Sequence, residues 1–229
     1  IVEMEIKDAA GTIVRKFSSK PDSLYKAYEG APDADPLLGK QKGLNRFVWN
    51  TRHSTVAAVP DVYIESSYAG HKAIPGTYTL ELKVKGQLYN TKALISPNPL
   101  YTVSPATYTE YDGLMRNFES TVTTMHKTIN SLNAKRLQID ELAKHLPADS
   151  KFDVVRKEAD TLSNQLKSGD GDMIQRKSKA YDDVENFPNK FTANYMFMMN
   201  QAESDLPSIT KPSLELKKQL DAEWILLKK

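Results

Sequence analysis

The chain contains no cysteine, which excludes disulfides, thiolate metal sites and cysteine nucleophiles. It has no apolar run of eighteen residues, so the sequence offers no transmembrane helix. It also lacks a charge excess: 31 Lys+Arg against 29 Asp+Glu leave a net charge of +2. That excludes a strongly basic nucleic-acid binder and an acidic solvating tail. Charge does not separate the two halves either. Residues 1–99 hold 13 basic and 10 acidic side chains, a net of +3, and the remainder hold 18 and 19, a net of −1. Neither half carries an electrostatic footprint for DNA, RNA or an anionic membrane. Glycine-rich nucleotide loops, His-Glu-x-x-His and Gly-x-Ser-x-Gly are missing as well. What is present, 26% charged and 40% hydrophobic residues over 229 positions, is the composition of one large or two small globular domains.

Residues 1–99 read as β. Val2, Met4 and Ile6 alternate with Glu3, Glu5 and Lys7, the two-residue period of a half-buried strand. Asp8-Ala9-Ala10-Gly11 predicts a tight turn into a second arm, Thr12 to Phe17. Gly43 to Trp49 predicts another strand, with Phe47 and Trp49 on one face. After the Pro75-Gly76 turn, Tyr78, Leu80, Leu82 and Val84 face one way, and Lys85-Gly86 closes a hairpin into Gln87 to Ile95. This pattern predicts a β-sandwich. Two long loops interrupt it, 18–42 and 53–74, the second with a possible short strand at Val62-Tyr63-Ile64. Loops of this length are usually functional or mobile.

Ser96-Pro97-Asn98-Pro99 forms a stiff hinge, after which the period changes. Ser104 is a helix cap and Pro105 suits the first turn. Apolar residues then recur every three or four positions from Tyr111 to Leu142, which predicts one long helix ending near Pro147. Asp149 or Ser150 can cap a second helix, with a stripe of Phe152, Val155, Ala159, Leu162 and Leu166, stopped by Gly169-Asp170-Gly171. A weaker helix is expected over 172–186, a fourth from Pro188 and a fifth from Thr210-Lys211-Pro212. Residues 100–229 thus predict an antiparallel helical bundle.

Chemistry is sparse. The four histidines, His53, His71, His126 and His145, form no His-x-His or His-x3-His pair, and no carboxylate sits at ligand spacing from one. Metal sites need three or four convergent ligands, so no metal or cofactor is expected and the histidines read as surface or loop residues. Gly169-Asp170-Gly171-Asp172 lacks the later ligands of a calcium loop and reads as a helix-breaking turn. The acids read as solvated helix faces and turns, with no general acid singled out and no catalytic residue assigned. Phe187, Phe191, Tyr195 and Met198/Met199 recur at helical spacing and read as core. Tyr25, Tyr28, Tyr63 and Tyr68 lie in the long loops, where they either contact a glycan or a protein partner or cover the sandwich edge.

Three segments, in order, resemble a known module. Val2 to Phe17 is similar to an I-x-D-x-x-G-x-x-V-R hairpin, Gly43 to Arg52 to a G-x-N-R-F-x-W-D-x-R strand, and Ala73 to Leu80 to an a-x-P-G-x-Y-x-v turn and strand. They resemble the Ig-like module also seen in the flagellar hook-capping protein. With the helical tail, where Phe187 to Asn194 and Leu206 to Thr210 fit too, the chain resembles the C-terminal region of bacterial sortilin-like, Asp-box (BNR) repeat proteins. These are often labelled glycosyl hydrolases, and in them a β-propeller comes first. Asn50 departs from the usual Asp, and no Asp-box occurs, so no catalytic residue carries over.

The expectation is therefore a multidomain β plus all-α protein: an N-terminal Ig-like β-sandwich over 1–99, then a helical bundle over 100–229. The resemblance implies a non-catalytic accessory region of an exported bacterial protein, in the periplasm, at the cell surface or secreted. It would brace an upstream propeller or meet another cell-envelope protein. The chain begins inside a strand pattern without an initiator Met, which reads as a fragment, with any signal peptide upstream of Ile1. The alternative is a carbohydrate- or protein-binding module using Tyr25, Tyr28, Tyr63 and Tyr68. Phe47, Trp49, Tyr78, Leu80 and Leu82 are the expected sandwich core, and Phe191 and Tyr195 the expected bundle core.

Overall fold

A computed structural model describes residues 1–204 and 206–228. Four strands form one antiparallel sheet: β1 (Val2–Lys7), β2 (Ile13–Ser18), β3 (Gly76–Val84) and β4 (Gln87–Ile95), in the order β2-β1-β3-β4. The two expected hairpins form. Asp8 Oδ1 accepts the backbone N–H groups of Ala10 and Thr12, and Gly11 takes a φ of +81°. Lys85 and Gly86 both have positive φ, the two-residue turn whose twist matches the flanking strands, and Val84 pairs with Gln87. One sheet face is a charge ladder, with Lys16 to Glu5 at 2.6 Å and Lys7 to Glu81 at 2.5 Å. The other buries Ile6, Phe17 and Tyr78.

The expected sandwich is not what forms. Among the described residues there is one small sheet, and the protein is mixed α and β. Residues 44–50 join no ladder, and the chain takes positive φ at both ends of the segment, at Gly43 (+99°) and Thr51 (+60°). This segment instead lays Phe47 edge-on against Phe17 at 4.7 Å and Trp49 against Tyr78 at 5.9 Å. Val62-Tyr63-Ile64 is not a strand either. Val62 and Ile64, with Val56, Val59 and Tyr68, plug into the helical core, and Tyr63 N–H donates to Ser178 O at 2.9 Å rather than to a strand of the sheet.

The helices are α1 (Pro105–Lys144), α2 (Asp153–Met173), α3 (Asp183–Asn186), α4 (Phe191–Ala202) and α5 (Lys211–Leu227). Ser104 Oγ caps α1 through Thr107 N–H at 3.1 Å, and Thr210 caps α5. Asp149 caps a single 3₁₀ turn, Ser150–Phe152, that leads into α2. The glycine stop at 169–171 fails. Neither Gly169 nor Gly171 takes positive φ, the conformation that ends a helix, so α2 runs on to Met173. The expected helix at 172–186 shrinks to the single turn α3. The helices do not form a self-contained bundle, because the 56–68 segment supplies part of their core. Tyr195 is fully buried against Phe118, and Phe191 stacks on Trp224 at 6.2 Å. Of the expected sheet core, Tyr78 is buried. Phe47, Trp49 and Leu80 are half-buried against that cluster, and Leu82 is half-buried beyond it.

Candidate functional site

Residues 51–56 and 68–73 run antiparallel. His53 N–H donates to His71 O at 2.9 Å, Ala73 N–H to Thr51 O at 2.7 Å, and Val56 N–H to Tyr68 O at 3.0 Å. The Arg52–Lys72 bridge makes His53 and His71 direct cross-strand partners. Gly70 permits this approach: a Cβ there would lie 2.6 Å from Ser54 O and 2.7 Å from His53 O. The two imidazoles stack at 4.0 Å, and both are buried.

Helix α1 lies against this pair. Asp112, Arg116 and Glu119 fall at i, i+4 and i+7, hence on one face, beside the buried Tyr111, Met115 and Phe118. His71 Nδ1 is 2.8 Å from Glu119 Oε1, which also accepts the His71 backbone N–H at 2.6 Å. His71 Nε2 is 3.0 Å from Asp112 Oδ1. His53 Nε2 lies 3.6 Å from the same oxygen and has no hydrogen-bond partner among the described residues. Arg116 holds Asp112 Oδ2 at 2.6 Å and Asp8 Oδ2, in the β1–β2 turn, at 2.9 Å. Arg15 donates to His53 O at 2.6 Å and pairs with Asp35. Hairpin, both long loops and α1 are thus fastened at one buried point.

Environment splits the two histidines. Burial, then the neighbouring His71 and Arg116 charges, push His53 down to about 3, so it stays neutral. Burial opposes charge on His71 too, but its hydrogen bonds to Asp112 and Glu119 outweigh that and raise it. Burial would raise Asp112, yet contacts with His71 and Arg116 bring it below the ordinary carboxylate value. His126 is a separate case: burial lowers it, and its Nδ1–H donates to Ala57 O at 2.6 Å.

The sequence reading missed this cluster. Three of the four histidines are buried, and two acids counted as solvated are largely covered. Linear spacing hides His53 and His71 because a loop separates them. The legible signal was the Asp112, Arg116, Glu119 series beside an apolar stripe.

Of the four loop tyrosines, Tyr28 lies beside Tyr68 and near enough to Tyr25 for the two to interact. Tyr68 is buried in the helical core, Tyr28 Oη donates to Val59 O at 3.2 Å, and Tyr63 packs over Gly30. Tyr25, the most exposed at 40%, lines a cavity of about 930 Å³ with Lys16, Asp22 and Asp33. Asn50 Oδ1 accepts Arg52 N–H at 3.2 Å in a neutral local turn, while the Arg52 guanidinium pairs with Glu203 at 2.7 Å.

The chain matches no family model, no curated protein and no solved structure. No helix among the described residues is long and apolar enough to cross a membrane.

Proposed function

We propose that this chain is a non-catalytic accessory module that docks against a larger partner. The observation that carries this reading is the far end of α1 and α2. The last fully buried residue of α1 is Ile129, yet the helix continues to Lys144. Fifteen residues at 1.5 Å each make an arm of about 22 Å. Along the arm and the facing part of α2, Leu137, Leu142, Val154, Val155 and Leu162 are exposed, while Leu132 and Ile139 stay half-buried. Such surface is costly to leave in water and marks a protein contact. The open edge strand β4 adds exposed Leu88, Tyr89 and Leu94.

The three motif segments, similar to those of bacterial sortilin-like Asp-box repeat proteins, support an upstream β-propeller in an exported parent as that partner. The test is to read the coding sequence on the 5′ side of Ile1 and co-express any domain it encodes with this chain. Co-purification that is lost on Leu137→Asp with Val155→Asp, at unchanged melting temperature, is the expected result. If no such domain is encoded, or association survives both substitutions, the reading fails.

One observation favours a second reading, a glycan-binding module. The cavity of about 930 Å³ joins an aromatic face, Tyr25, to the carboxylates of Asp22 and Asp33, which suit sugar hydroxyls. Tyr25→Ala should then abolish retention on a glycan array without changing stability.

A further inference from the structure

We propose that His53 and His71, together with Asp112 on α1, bind one divalent transition-metal ion of the zinc class, with Glu119 orienting the His71 ring. The observation behind this is an unpartnered donor. His53 is only 4% exposed, and its Nε2 points into a group of ligand-type atoms without a hydrogen bond. A buried imidazole nitrogen left without a partner is destabilising, and a metal ion satisfies it.

The spacing fits. A tetrahedral ion with ligands at about 2.0–2.1 Å sets them about 3.3–3.4 Å apart. Asp112 Oδ1 lies 3.0 Å from His71 Nε2 and 3.6 Å from His53 Nε2. His53, His71 and Glu119 also each place a donor atom within 4.8 Å of the others. A three-residue set with a fourth position left for water is the arrangement of an open zinc site.

The outer contacts fit as well. A metal-bound histidine normally donates its other N–H to a carboxylate. His71 does this through Nδ1 to Glu119 at 2.8 Å, and its backbone N–H fixes the same oxygen. Asp112 is divided in the same way: Arg116 takes Oδ2 and leaves Oδ1 facing the imidazoles. The ion would take the place of the proton that His71 Nε2 shares with Asp112. The nearest open space is on the His53 side, where that residue lines a cavity of about 450 Å³ with Asn50, Arg52 and Ser66; His71, Asp112 and Glu119 do not line it.

The test is zinc titration of the full chain by calorimetry, with thermal unfolding followed with zinc and after chelation. The expected result is one ion per chain and a melting temperature that rises with zinc and falls back on chelation. His53→Gln and Asp112→Asn should abolish binding, Glu119→Gln should weaken it by about 10–100-fold, and His145→Ala should leave it unchanged. If the site variants fail to fold, X-ray absorption of the zinc-loaded natural chain counts the imidazole ligands directly, and two are expected. No stoichiometric binding, binding lost with His145→Ala, or a count other than two imidazoles overturns the site. Loss with Glu119→Gln but not with Asp112→Asn overturns the assignment of the ligand nitrogens.

Discussion

The imidazole of His53 lies flat against that of His71, with centroids 4.0 Å apart and planes 21° apart. Two cationic rings would repel strongly so close together in a dry interior, and burial removes the conflict by keeping His53 neutral. His71 sits between Asp112 and Glu119, while His53 stays neutral with its Nε2 unpartnered. The stack joins a loop turn to a helix face, so sheet and helices share one buried polar joint.

Gly70 makes that joint possible, and Gly70→Ala is the sharpest way to strain it. The added Cβ would meet backbone atoms of Ser54 and His53 at 2.6–2.7 Å. Backbone cannot rotate away as a side chain can, so the two segments must part. The expected cost is about 1–3 kcal/mol, read from the denaturant midpoint. A variant as stable as the parent would show that the close approach of 53–54 to 70 is not rigid.

Much of the β half was legible in sequence because alternation and turn chemistry are local. Asp8 and Gly11 announce the first hairpin, and Lys85-Gly86 the second. The sandwich failed because two apolar runs of strand length, 43–49 and 62–64, carry no information about whether a backbone partner exists. Both spend their side chains on packing instead, Phe47 and Trp49 over the sheet and Val62 and Ile64 in the helical core. The glycine stop in α2 failed for a related reason: a glycine permits the left-handed turn but does not require it. The histidine pair was invisible because contact at long sequence separation leaves no local period.

Trp49→Ala separates the two views of that segment. In a sandwich core the ring would be buried, and its loss would cost about 3–5 kcal/mol. Here Trp49 is half-buried, edge-on to Tyr78, with Nε1 donating to Arg52 O at 2.9 Å. The loss should therefore fall below about 3 kcal/mol in denaturant unfolding. A larger value would mean that the segment is more deeply enclosed.

Acid should weaken the fold through His126. Its folded-state pKa lies below the ordinary value, so at low pH the unfolded chain binds a proton that the folded chain resists. Its contribution is complete above about pH 6.5 and is lost as pH falls below that. His53 and Asp112 push the same way, and His71 the opposite way, so the whole-protein curve mixes signs. The difference between the parent and His126→Gln isolates this one residue. It should be largest at pH 7.5 and shrink by pH 5. A difference that stays constant or grows on acidification would contradict the buried, neutral assignment.

Arg116 links two elements far apart in sequence, the β1–β2 turn through Asp8 and α1 through Asp112. The Arg116 and Asp8 side chains are 29% and 21% exposed, so solvent screens the pair only in part. A double-mutant cycle with Arg116→Met and Asp8→Asn should give a coupling near the upper end of the range for exposed pairs, about 1 kcal/mol. Asp8 Oδ1 also holds the turn through two backbone N–H groups, which is why Asn, able to keep an acceptor there, replaces Asp rather than Ala. The coupling should fall when salt is raised to about 1 M, where the screening length drops to about 3 Å. A coupling near zero at low salt would mean that the turn and the helix are held together by packing alone.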